Sequence, residues 1–209
     1  MADDPRAEVP EGLWERLRAD PVRAPEHLAL AAAERHGPAA AAWAADKRRR
    51  YGHDGRELAS MAKRRHAALA RFEGAATGVG GVFTVVPDLV AVTWIQSRLV
   101  FFVAAAYGFD PQDRMRPAEL LVLTGFYPDP PAARQALDGA GRPMVEAYVG
   151  SKLQREEALA VRLARFAGRR AARSVAGRLI PGVAVAFNAV GNERSTRELA
   201  DRAIRFYGG

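Results

Sequence analysis

The chain contains no cysteine. That excludes a disulfide scaffold, a thiolate metal site and a cysteine nucleophile, and it fits a reducing compartment. Aromatic residues make up only 8% of the 209 positions and do not interleave the basic clusters, so the stacking surfaces of nucleic-acid binders are missing. Neither a Gly-x-Ser-x-Gly turn nor a His-Glu-x-x-His pair occurs. His27, His36, His53 and His66 all fall in the N-terminal third, without metal-ligand spacing. No repeat recurs at a solenoid period. Nothing alternates with period two for long enough to build a sheet, although "VFTVV" (residues 82–86) reads as a short extended piece. The N-terminus, "MADDPRAEVPEGLWERL", lacks a basic segment leading into an apolar one, so cytoplasm is the expected location.

What remains is an ordinary globular composition, 49% hydrophobic and 26% charged, enough to bury the core of one domain with an N-terminal extension. The formal net charge is +7, carried mainly by arginine. Such a field favours polyanions, either nucleic acid or an anionic lipid surface. Abundant arginine with abundant alanine also follows from a GC-rich genome, so the distribution of charge matters more than its sum.

Punctuation by proline and glycine divides the chain into helices. The first ten residues have no periodicity and are expected to be disordered. Gly12 to Arg18 reads as a short amphipathic turn, Pro25 to His36 as a helix ended by "HGP", and Ala39 to Arg50 as a second helix. Arg56 to Phe72 follows, with Leu58, Met61, Leu69 and Phe72 on one side and Lys63, Arg64 and Arg65 on the other. "DLVAVTWIQSRLVFFVAAAYG" is apolar nearly all round, the pattern of a helix enclosed by other helices or by lipid. "PAELLVLTGFY" starts a further helix and "PDPPAARQALDG" a short one. Met144 to about Arg178 reads as helix, and "NERSTRELADRAIRFYGG" as the closing one, with Asn192 as its N-cap and the glycine pair as its stop. The expected class is all-α, a helical bundle with two glycine-containing apolar helical hairpins at its core: an N-terminal helical extension over residues 1–70 and a helical domain over 71–209.

Two glycine-containing apolar stretches stand out, "GAATGVGGVFTVVPDLVAV" from Gly74 to Val92 and "RLIPGVAVAFNAVGN" from Arg178 to Asn192. The first is no phosphate loop. A Walker loop needs Gly-Lys-Ser/Thr where this chain has Gly-Val-Phe, and the Rossmann fingerprint needs glycine at Phe83. Asp88 to Tyr107 is long enough to span a bilayer at about 30 Å, but Gln96 and Arg98 near its middle make a permanent span unfavourable. Small residues at Gly74, Ala75, Gly78 and Gly81 instead suit a tight helix–turn–helix element, as small-xxx-small patterns do. Pro87 would start the following helix, with Asp88 complementing its dipole.

One stretch carries a family pattern: "FEGAATGVGGVFTVVPDLVAVTWIQSRLVFFVAAAYGFDP". Its Gly-Ala-Ala-Thr-Gly turn, its Pro-Asp, a Gln eight residues on and its Ala-Tyr-Gly-Phe-Asp ending resemble the EcsC family. The later blocks "RPAELLVL", "GSKLQ" and "RLIPGVAVAFNAVGNERSTRE" come in the family's order and resemble its actinobacterial type. The similarity covers roughly Phe72 to Tyr207. It implies an association with membranes and secretion, since the family is named after a neighbour of an ABC transporter gene, and it implies no catalytic residues. Asp88, Gln96, Tyr107 and Asn192 match positions characteristic of the pattern.

Two sets of candidate residues follow. Asp88, Gln96 and Arg98 share one helix, with Gln96 at about +80° and Arg98 at about −80° from Asp88. With Tyr107, Asn188 and Asn192 they are expected to form an interior polar network or ligand site. The cationic set is Arg64, Arg65, Arg162, Arg165, Arg169 and Arg173, joined by Arg155 and by "KRRR" at Lys47 to Arg50. These basic faces beside apolar elements are what a membrane-surface binder uses, and the solvated face of an arginine-rich protein is the plain alternative. The expected activity is non-catalytic peripheral association with an anionic membrane or a membrane-protein partner, with no cofactor and no metal. A lipid- or isoprenoid-processing enzyme with an enclosed apolar pocket is the competing reading. Against it, no carboxylate completes the face shared by Asn188, Asn192 and Thr196.

Overall fold

A computed structural model describes residues 10–77, 85–141 and 181–209. Among them are seven α-helices and no strand: α1 (Glu11–Ala19), α2 (Ala24–Tyr51), α3 (Gly55–Thr77), α4 (Val85–Ala106), α5 (Arg116–Leu123), α6 (Pro130–Leu137) and α7 (Pro181–Gly208), with a single 3-10 turn at Pro21–Arg23. The all-α class is as expected. The unstructured start, the helix over Met144 to Arg178 and the turn over 78–84 fall outside the described residues.

Local sequence explains most boundaries. Asp54 and Glu57 form a reciprocal capping box at the start of α3: the Glu57 amide donates to Asp54 Oδ1 (2.8 Å) and the Asp54 amide to Glu57 Oε2 (2.9 Å). Asp129 caps α6 by accepting from the Ala132 amide (2.8 Å). Helix α4 ends in a Schellman pair. There Gly108 has φ 86°, its amide donates to Ala105 O, and the Phe109 amide donates to Ala104 O. Arg48 adds a side-chain cap, its Nη2 donating to Ala105 O (2.9 Å) and Ala106 O (2.7 Å).

Four sequence expectations need correction. The two helices split at "HGP" are one helix, α2, with Pro38 inside it. A proline interior to a helix costs about 3 kcal/mol, but here the ring faces solvent while Ala32, His36, Gly37, Ala40 and Ala44 are buried on both sides of it. Packing across the break outweighs the lost hydrogen bond. The second correction concerns Asn192, which is no N-cap: α7 runs unbroken from Pro181, whose fixed φ suits a first turn. Thirdly, Val85 and Val86 open α4 instead of an extended piece. Finally, Phe72 does not join the apolar face of α3. That face is Leu58, Ala59, Ala62, His66, Ala67 and Ala70, and Phe72 is 72% exposed.

Helix α4 lies at the centre, in contact with α2, α3, α5 and α7. Every residue from Ser97 to Ala106 is buried, as the all-round apolar pattern requires. Phe101, Phe102, Leu99, Leu58, Leu120, Leu121, Leu199 and Leu13 fill the rest of the core, which extends from α1 to the end of α7. Helices α3 and α7 run antiparallel, because Lys63 pairs with Asp201 and Arg71 with Glu193 (3.8 Å). At one end of the bundle Tyr107, just past α4, meets Gly55 at the start of α3 and Gly208 at the end of α7. The end of α3 and the starts of α4 and α7 therefore share the opposite pole.

Two glycines give opposite expectations. A Cβ on Gly37 would stand 2.9 Å from the Pro111 carbonyl oxygen, whereas nothing lies within 4 Å of one on Gly191. Gly37→Ala should lower stability by about 1–2 kcal/mol, overpacking outweighing alanine's better helix propensity. Gly191→Ala should raise it by up to about 1 kcal/mol. Urea midpoints of the two variants check both signs.

Candidate functional site

The polar side chains of α4 divide between two faces, as their angular spacing predicts. Gln96 faces α7, where its Nε2 donates to Ser195 Oγ (3.1 Å) and Thr196 Oγ1 (3.3 Å). Ser195 Oγ in turn donates to the Asn192 carbonyl (3.1 Å). Asn192 and Thr196 are both buried in this contact. Gln96 thus meets two hydroxyls of α7, while the part of Asn192 seen in this contact is its backbone carbonyl, which Ser195 bonds within the helix. Asp88 and Asn188 lie on α4 and α7, but their side chains are outside the described residues.

Arg98 faces the other way. Trp94, Arg98 and Phe102 are spaced four apart along α4 and are all buried. The Arg98 guanidinium lies 5.0 Å from the Phe102 ring centroid. His36 from α2 stands against Trp94 (centroids 4.5 Å), and His66 from α3 meets Phe102 edge-on (5.1 Å). Trp43 also packs against Phe102, with ring centroids 5.1 Å apart. Burial, reinforced by Arg98 and other nearby cations, lowers both histidines to about 3, so both imidazoles are neutral. His66 Nδ1 bonds the Ala62 carbonyl at 2.8 Å.

Tyr107, the remaining interior candidate, joins neither group. It occupies the space left by the missing side chains of Gly55 and Gly208 and so wedges α3, α4 and α7 together. Beside it, Tyr207 donates from its hydroxyl to Glu119 Oε2 (2.6 Å), and Arg116 pairs with the same carboxylate. Burial raises Glu119 above the ordinary carboxylate value, against the pull of Tyr207 and Arg116, and it raises Tyr207 too. A second buried bond runs from the Tyr127 hydroxyl to Glu26 Oε1, tying the start of α2 to the segment after α5.

Of the cationic set, Arg64 is exposed and Arg65 half-buried, while Arg162, Arg165, Arg169 and Arg173 fall outside the described residues, as does Arg155. The "KRRR" cluster is engaged locally. Lys47 lies over Tyr51, Arg48 caps α4, and Arg49 and Arg50 reach Asp46. At the pole where α4 and α7 begin, Phe72 and Val190, the latter 61% exposed, stand out from α3 and α7. Arg71, Arg194 and Arg197 are exposed beside them. No helix among the described residues is long and apolar enough to cross a membrane. Nor does any group of three His, Cys, Asp or Glu among those residues form a metal site.

The family model of the EcsC protein family matches residues 53–208. The chain belongs to the EcsC protein family. Within the EcsC match lie α3 to α7, while α1 and α2 precede it and share the same hydrophobic core. Similarity to a curated protein is local: the "Uncharacterized protein YdbA" of Bacillus subtilis (strain 168) is 38% identical over 58 residues. That alignment spans 28% of this chain and 21% of the relative's length. No solved structure matches the chain. EcsC membership agrees with the motif blocks read from the sequence and brings no catalytic assignment.

Sequence reasoning passed over the histidines because it tested them only as metal ligands. The signal was present for His66, which falls in register with Leu58, Ala62 and Ala70 at intervals of four on an apolar face. The Arg116–Glu119–Tyr207 cluster carried no such signal, since its members come from different helices. The histidines make acid stability predictable. Their folded values lie below the unfolded 6.5, so the unfolded chain takes up protons first. Stability should be level above pH ~6.5 and fall below it by about 1.4 kcal/mol per pH unit for each histidine. Glu119, raised in the fold, works in the opposite direction at lower pH. Chemical denaturation from pH 7 downward should show this slope, and His66→Leu should reduce it.

Proposed function

We propose that this EcsC protein docks peripherally on an anionic membrane surface through the pole where α3 ends and α4 and α7 begin. The observation that carries this reading is the pairing of Phe72 and Val190. They are the most exposed large apolar side chains of the described residues, and they stand at the same end of an antiparallel helix pair. The apolar first turns of α4, "VVPDLVAV", and of α7, "PGVAVAF", converge on that pole. Exposed apolar groups ringed by cations suit an interfacial binder, in which burial in the headgroup boundary and attraction to lipid phosphate act together.

Charge around the pole supports the same reading. Arg71, Arg194 and Arg197 border it, and Arg64 lies about two turns further along α3. Glu193 and Glu198 contact three of these arginines, but solvent-exposed pairs of this kind contribute only about 0–1 kcal/mol. The guanidinium groups therefore remain able to exchange a carboxylate for a phosphate. Each basic residue near an anionic leaflet contributes about 1 kcal/mol. Arg162, Arg165, Arg169 and Arg173 are proposed from their sequence spacing as further cations for an anionic surface. Docking of this kind needs no covalent chemistry. The polar contacts around Gln96 and Asn192 hold α4 and α7 in register behind the docking pole.

Vesicle co-sedimentation tests the proposal. The protein should pellet with phosphatidylglycerol-containing vesicles and less with phosphatidylcholine alone. Binding should weaken between about 0.1 M and about 1 M salt, as the Debye length shrinks from about 10 to about 3 Å. The double variant Phe72→Asp/Val190→Asp should bind several-fold less, whereas Tyr51→Asp at the other pole should bind as the parent does. Failure to pellet with either vesicle, or an unaffected double variant, removes the lipid reading and leaves a membrane-protein partner as the next one to test.

A further inference from the structure

The core between α2, α3 and α4 contains three buried ring nitrogens without a hydrogen-bond partner: His36 Nε2, His66 Nε2 and Trp94 Nε1. Native cores rarely leave polar atoms stranded, and three in one neighbourhood point to something that satisfies them. The neighbourhood is shared. The His36 ring lies against Trp94, His66 meets Phe102, and Arg98 lies between Trp94 and Phe102 on the same face of α4. Each of the three nitrogens comes from a different helix.

Their chemistry restricts what could sit there. A carbonyl only accepts, so the bond to Ala62 places the proton of the neutral His66 ring on Nδ1 and leaves Nε2 as a bare lone pair. Trp94 Nε1–H can only donate. A partner for both must therefore donate and accept at once. A fully deprotonated anion such as chloride or a carboxylate has no proton to give to His66. A metal ion cannot accept from an indole and would face the Arg98 guanidinium. A hydroxyl meets both demands. We infer that the α2–α3–α4 core encloses a hydroxylic molecule, water in the free protein, that donates to His66 Nε2, accepts from Trp94 Nε1–H and has His36 Nε2 as its third neighbour. Such a site gives the alanine-rich α2 and α3 and the central α4 a common polar anchor independent of the docking pole.

Water-selective NMR on the full chain, labelled with ¹⁵N, tests this directly. Trp94 Hε1 should show a cross-peak to water with the sign of a bound molecule, and His66 should appear protonated at Nδ1 and bare at Nε2. His66→Phe, which removes the acceptor, should abolish the cross-peak. Absence of the cross-peak in the folded parent protein, or a His66 proton on Nε2, overturns the inference. If His66→Phe fails to fold, a high-resolution crystal structure of the parent decides. Density within hydrogen-bond reach of these nitrogens supports the site, its size separating water from a larger alcohol, and rings closed on apolar atoms alone refute it.

Discussion

From Ser97 to Ala106, α4 offers no face that can be left in water, and the arrangement of the other helices follows from that demand. Four helices surround it. They can approach closely because the sides they present are largely alanine: Ala29, Ala32, Ala40 and Ala44 on α2, Ala59, Ala62, Ala67 and Ala70 on α3, and Ala200 and Ala203 on α7. Small side chains bring backbones together, and Phe101, Phe102 and Leu99 supply the volume that alanine does not. A central helix of large residues inside a sheath of small ones is a complementary fit. Truncating a buried phenylalanine or enlarging a buried alanine would each disturb it.

The two ends of the bundle are built differently. Where α4 finishes, the chain is closed by a Schellman pair, the Arg48 cap, the Tyr107 wedge and the Tyr207–Glu119–Arg116 cluster. Carbonyls, a carboxylate and a phenol find partners there, although the buried Arg116 Nε does not. The other end carries the exposed Phe72 and Val190. Tyr51, Phe109 and Phe206 are exposed at the first end, so the docking proposal rests on the greater exposure of Phe72 and Val190: a surface that exposes large apolar groups beside arginine gains by meeting a boundary that is apolar within and negative outside.

The polar residues inside the bundle fall into two kinds. Gln96, Ser195, Thr196 and Asn192 are joined by hydrogen bonds at short range and set the register of α4 against α7. His36, His66, Trp94 and Arg98 are held by ring contacts and by exclusion from water. Membership of the EcsC family says nothing about either group, so their meaning rests on geometry. Neutral histidines beside a buried guanidinium couple the integrity of the core to pH without any surface group being involved.

Helix content and the enclosed character of α4 were legible in the amino-acid order, because periodicity acts within a few residues. The EcsC blocks were legible for the same reason. Partition of Gln96 and Arg98 to different faces followed from helical angles alone. Other features needed the folded molecule. Pro38 stays inside α2 because burial on both sides of a weak point outweighs a local breaker, and α7 runs unbroken through Asn192. Phe72 turned outward because alanines, not the larger residues, match the neighbouring backbone. His36 and His66 meet the α4 column from separate helices, and Glu119 meets Tyr207 across 88 positions. Short-range physics is written along the chain, whereas which distant side chains share a dry interior is decided only when the helices close around α4.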